Sequence, residues 1–267
     1  TSLGIDNLKA EDFEVHLGDA AVPVLSATQN FNNRVLVLLE TSGSNDDQGI
    51  SQMVQRVAEL ARRAPNSRRI AFGIFGERAL IADTFSANQE ERSARIDQLM
   101  AQTATLGKHP AVFDSLHAAL STFGPHQPGD TIVLISDGED VKSSRNANDI
   151  AKEFTASGTR LLVMMRPAVG MARIPSRQFR WAQDKDMNWR RSPGRLALAS
   201  LSSRTGGAFT GVSDHFFDFA WAGYMLELKA TTQPKMSHNL KVSLRGSAAG
   251  AHKGAFVYHP EDLPPCD

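Results

Sequence analysis

The sequence predicts an α/β protein built on a doubly wound, mostly parallel β-sheet, with a small antiparallel β appendage formed by its two ends. Three observations carry this. Arg34–Leu39, Thr131–Ile135 and Leu161–Met165 are short aliphatic runs, the pattern of strands buried on both faces. Between them the apolar residues fall three and four apart, as on amphipathic helices. Near the two ends, apolar and polar residues alternate one by one, which marks half-exposed antiparallel strands.

In chain order, Phe13-Glu-Val15 and Val22-Pro-Val24 read as half-exposed strands, and Arg34–Leu39 opens the central sheet. Ile50, Met53, Val54, Val57, Leu60 and Ala61 form one helical stripe, which Pro65-Asn66-Ser67 terminates. Ile70–Phe75 and Ala79–Ala82 flank Gly76-Glu77 and read as a hairpin, with Ala79–Ala82 antiparallel at an edge. Helices follow over 90–102 and from Val112 to Phe123, then the strand at Thr131, a helix through Ile150 and Phe154, and the strand at Leu161. Strand, helix, strand in repetition means right-handed parallel crossovers, with helices on both faces of one sheet. Leu226 and Leu228, then Leu240, Val242 and Leu244, alternate with charged or polar residues. Residues 31–222 are therefore read as the α/β domain, and 1–30 with 223–267 as the appendage.

Composition narrows the function. Lys plus Arg and Asp plus Glu both number 29, so no bulk charge favours nucleic acid or an anionic membrane. A single cysteine, Cys266, excludes an intramolecular disulfide and a multi-cysteine zinc site. No apolar run approaches the ~20 residues of a membrane span. The eight histidines are scattered, with no HxxxH or HxH pair, and no P-loop, G-x-S-x-G or G-x-G-x-x-G follows a strand.

Ligands of a parallel α/β sheet bind at the carboxyl ends of its strands. Two polar loops lie there, Glu40-Thr-Ser-Gly-Ser44 and Asp137-Gly-Glu-Asp140. A carboxylate, two hydroxyls and a distant second carboxylate suit a hard divalent cation such as magnesium. Each piece also has a plain reading: Ser-Gly-Ser is an ordinary turn and helix cap, and Asp-Gly an ordinary turn pair.

Taken in order, these blocks resemble von Willebrand factor type A (VWA) domains. Leu38-Leu-Glu-Thr-Ser-Gly-Ser44 stands where that family has Asp-x-Ser-x-Ser, Lys108–Leu116 looks like its middle loop and helix start, and Ile135-Ser-Asp-Gly-Glu-Asp140 is similar to its third block. Leu8–Val15, Thr205-Gly-Gly-Ala-Phe209, His238–Val242 and His259-Pro-Glu-Asp262 extend the likeness over essentially the whole chain. They look like those of bacterial exported VWFA-related proteins, common in Acidobacteria. The resemblance implies a Rossmann-like VWA fold, a protein-binding module and not an enzyme, an exported location, and magnesium ligands at Glu40, Ser42, Ser44 and Asp137. The pattern is broken twice. Glu40 is one methylene longer than the family's Asp, too long for ~2.1 Å magnesium bonds, and the middle Thr position holds Pro110, which offers no hydroxyl. The expected site is thus weak or vestigial, with no cofactor or only weakly held magnesium.

The segment from Arg166 to Arg195 holds eight Lys and Arg residues against two Asp, with Trp181 and Trp189 interleaved. Arg and Trp are enriched at interface hot spots, so Trp181, Trp189, Arg180 and Lys108 are the candidate partner contacts. The plain reading is a solvated loop. Without a metal, Glu40 and Asp137 need another partner, either Lys108 or an arginine of 166–195, or else water, Ser42, Ser44 and backbone amides. A hydrolase with an unrecognised site on the same face, and a purely structural module, are the competing functions.

Overall fold

The computed structural model describes residues 7–29, 33–42, 48–166, 192–211, 220–221, 223–229, 239–251 and 257–261. Its centre is a six-stranded sheet made of β4 (Arg34–Glu40), β5 (Arg69–Phe75), β6 (Ala79–Ile81), β7 (Thr131–Ser136), β8 (Arg160–Met165) and β9 (Phe209–Gly211). The spatial order is β6-β5-β4-β7-β8-β9. All neighbours are parallel except β6, which turns back antiparallel on β5 at the edge, as its hairpin signal requires. The doubly wound, mostly parallel sheet expected from the sequence is present.

Alternate residues of the inner strands feed two cores. Val35, Val37 and Leu39 point to one face, where they meet Ile50, Val54, Val57 and Ala61 of α1 (Gln48–Arg62) and Ile96 and Leu99 of α2 (Gln89–Met100). Leu36 and Leu38 point to the other. There they meet Val112, Leu116 and Leu120 of α3 (Val112–Thr122), Ile150 and Phe154 of α4 (Ala147–Ser157), and Leu198 and Leu201 of α5 (Pro193–Arg204). Each such side chain contributes about 1.5–3 kcal/mol by leaving water, and a strand covered on both sides must be apolar at every position. At the amino end of the sheet, Arg34 grips the buried Asp130 carboxylate with Nε and Nη2, at 2.9 and 2.5 Å. Its remaining donors go to the Phe123 and Pro125 carbonyls, and Phe85 and Phe123 stack on the guanidinium.

The two ends meet outside this sheet. β1 (Phe13–Leu17) pairs antiparallel with β2 (Ala20–Val22) and with β11 (Leu240–Leu244), while β3 (Val24–Gln29) pairs antiparallel with β10 (Tyr224–Leu228). Val15, Val22 and Leu240 form a small core of their own with the inward leucines and valines of these strands. One part differs from the expected run of strands. Gly246–Ala251 is a short helix, α6, because Gly-Ser-Ala-Ala-Gly-Ala has no β-branched residue and alanine favours helix. Beyond it, residues 257–261 return to the α/β unit, with a bridge between Thr205 and Pro260 and the Glu261 amide donating to the Arg204 carbonyl at 2.9 Å.

Candidate functional site at the carboxyl ends of the strands

Glu40 is the last residue of β4, Ser136 the last of β7, and Arg166 follows β8 directly. The register sets β4, β7 and β8 level at their carboxyl ends, so the three residues lie side by side. The Arg166 amide donates to the Ser136 carbonyl at 2.9 Å and continues the ladder one step past β8. From there its side chain crosses β7 and reaches β4.

The Glu40 carboxylate is fully buried and heavily hydrogen-bonded. Oε2 accepts from the Ser136 hydroxyl at 2.6 Å and from the Asp137 amide at 3.1 Å. Oε1 accepts from the Ser42 hydroxyl and from Arg166 Nη2. The same nitrogen lies 3.1 Å from both the carbonyl and the hydroxyl oxygen of Ser42, and 3.3 Å from Asp137 Oδ2. Burial pushes the Glu40 carboxyl above the usual range. The Arg166 guanidinium pulls it down, Asp137 pushes it further up, and the Ser136 and Ser42 hydroxyls favour the ionised form.

Asp137 is held by its own loop. Its Oδ1 accepts from the Glu139 amide at 3.0 Å, and its carbonyl accepts from Arg195 Nε at 2.5 Å. Arg195 sits in the first turn of α5, which packs so tightly on this loop that a side chain at Gly194 would lie 2.2 Å from the Gly138 carbonyl oxygen. Gly138 itself takes a φ of +81°, a conformation glycine adopts freely. Arg166 and Arg195, counted by sequence within one basic stretch, are thus both buried side chains that serve the loop after β7.

The middle loop is fastened to the same place. The carbonyl of buried Pro110 accepts from the Val141 and Lys142 amides at 2.9 and 3.1 Å. Asp140 and Ser143 then cap α3 from outside: Oδ1 of Asp140 accepts from the Val112 amide at 2.7 Å, and the Ser143 hydroxyl from the Phe113 and Asp114 amides at 3.0 and 3.2 Å. Asp114 answers by accepting from the Ser144 and Arg145 amides. Partial burial opposes its ionisation, but these bonds, with the Ser144 hydroxyl and the Arg145 charge, hold its carboxyl below the usual range.

Glu40, Ser42 and Asp137 are therefore brought together, around Arg166. Ser44, Arg180, Trp181 and Trp189 lie outside the described residues. Lys108 is exposed beside Pro110, and it is Arg166 that pairs with Glu40. The plainer alternative is met in part as well, through Ser42 and the Asp137 amide. Magnesium does not fit this arrangement as it stands, because a guanidinium nitrogen lies between the two carboxylates. Sequence reasoning missed the capping roles of Asp140 and Ser143. The residue before α3 is Ala111, so no local cap announces that the caps come from about thirty residues away.

No protein-family model matches the chain, and no curated protein sequence does. Solved structures do match. Proximal thread matrix protein 1 from the mussel byssus superposes with a TM-score of 0.51 at 13% identity, over 76% of this chain and 49% of that one. A von Willebrand factor type A protein from Catenulispora acidiphila gives 0.48 at 13%, over 82% and 50% of the two chains. An aerotolerance-related membrane protein from Bacteroides fragilis gives 0.48 at 16%, over 71% and 96%. At these identities the likeness is one of fold alone.

Proposed function

We propose that the chain is a protein-binding module that recognises a protein partner through the loops at the carboxyl ends of its sheet, and that it is not an enzyme. One observation carries this reading. The polar cluster of Glu40, Ser42, Asp137 and Arg166 is buried, whereas the surface beside it presents Val141 and Leu196, each 57% exposed. Val141 follows the loop after β7 and Leu196 lies in the first turn of α5, which packs on that loop. Exposed branched aliphatic side chains on a firmly braced face suit partner contact. A cluster closed to solvent gives a substrate no access to its carboxylates.

Lys108 stands exposed on the same face and belongs to the proposed contact set. Arg180, Trp181 and Trp189 belong to it on sequence grounds, because their segment starts at Arg166. No helix among the described residues is long and apolar enough to cross a membrane. Export to the periplasm or exterior is part of the proposal and rests on the sequence resemblance. The test is affinity capture from the native envelope and secreted fractions with immobilised protein. Val141→Asp with Leu196→Asp is expected to abolish capture of a partner that the Leu25→Asp control, changed at an exposed position of β3, still holds. Equal capture by all three proteins would remove this face from the proposal.

A further inference from the structure

We infer that Arg166 is the resident cation of an oxygen cage, a tethered guanidinium standing where a free metal ion would otherwise be held. The inference rests on the proposed reading only for the consequence that partner binding needs no metal. Its core is geometric. One nitrogen, Arg166 Nη2, faces four oxygens: Glu40 Oε1, Asp137 Oδ2 at 3.3 Å, and the hydroxyl and carbonyl of Ser42, both at 3.1 Å. An Nη group carries two hydrogens and cannot donate a full hydrogen bond to each of four acceptors. Oxygens gathered on a centre beyond its donor capacity, two of them from carboxylates, are what a hard cation draws around itself.

Charge leads to the same place. Two carboxylates this close repel, and neither could stay buried and ionised alone. Arg166 lies against both, and Arg195 adds a second positive charge on the Asp137 carbonyl, with Nη2 4.0 Å from Glu139. The site is thereby neutralised from within the chain. A guanidinium tolerates the extra reach of Glu40 and the missing hydroxyl at Pro110, because it does not require the octahedral shell that magnesium demands. Being covalently attached, it does not leave when the surrounding ion concentration falls.

Wild-type protein and Arg166→Ala are titrated with Mn2+ and followed by thermal melting and by the electron paramagnetic resonance signal of free Mn2+. Wild type is expected to show no shift and no uptake up to about 10 mM, far above the range in which a working site saturates. Arg166→Ala is expected to melt well below wild type in chelator, to recover by several degrees with added Mn2+, and to take up the ion. Adding Glu40→Gln to that variant should abolish the recovery. If Arg166→Ala does not fold, Arg166→Gln replaces it, with the same expectation. Micromolar uptake by wild type would overturn the inference, and so would a folded Arg166 variant that melts as wild type does or ignores Mn2+. Partner capture, measured with and without chelator, separates the two readings. Capture lost in chelator refutes the tethered cation, whereas capture that fails in both conditions refutes the binding module and leaves the Mn2+ result standing.

Discussion

Glu40 is ionisable, wholly buried and shared among four donors, so its protonation should be visible in the stability of the protein. Burial holds its folded-state pKa above the 4.5 of a free glutamate despite Arg166. As pH falls, the folded chain therefore takes up this proton before the unfolded chain does. The corresponding stability is fully present below about 4.5 and is lost as pH rises through the higher folded value. Glu40→Gln should remove this part of the profile, read from urea denaturation between pH 4 and 8. Parallel curves for the two proteins would show that the carboxyl titrates normally. Glu40, Ser42 and Asp137 were legible in the sequence because they sit just past long aliphatic runs, where strand ends had to be. Arg166 was legible only as one of eight basic residues, since charge counting does not say which side chain turns inward. What turns it inward is its position one step beyond β8, where the Ser136 carbonyl fixes the backbone.

At the scale of elements, the inner strands and most helices could be read because burial on two faces, or on one stripe, leaves a periodic mark. β9 and α5 left none. β9 is three residues long, and α5 begins in Pro193-Gly194-Arg195 at the end of a basic stretch, with Leu196 pointing outward. Their placement depends instead on a close approach. A side chain at Gly207 would lie 1.7 Å from the Leu161 carbonyl oxygen, so only glycine lets the end of α5 settle against β8. Gly207→Ala is expected to cost about 1–3 kcal/mol or more, because the strand ladder cannot yield as a flexible side chain would. Chemical denaturation measures this directly, and a loss below about 0.5 kcal/mol, the usual scale of a surface change, would mean that the backbone adjusts without strain.

On the scale of the whole molecule, the alternating pattern at the two ends marked strands there, but pattern alone could not say how they pair. The partner of each strand is fixed by register, and β1 and β11 meet from Phe13 opposite Leu244 to Leu17 opposite Leu240. The short helix α6 was hidden for a related reason, because a run of small residues carries no periodicity. The antiparallel ends also have a mechanical consequence. The chain enters β1 at Phe13 and leaves β11 at Leu244, and those two residues are neighbours. Tension applied across the molecule would therefore meet the tether at Pro260 and Glu261 first and then part β1 from β11 like a zip, one pair of hydrogen bonds at a time. Optical-trap pulling on residues 7 and 261 should show a low-force extension as the end strands peel, followed by a separate, larger rip of the six-stranded sheet. A single rip would mean that the two layers give way together. If the steps are separate, the ends act as a compliant leash, yielding under load while the loops at the carboxyl face keep their shape.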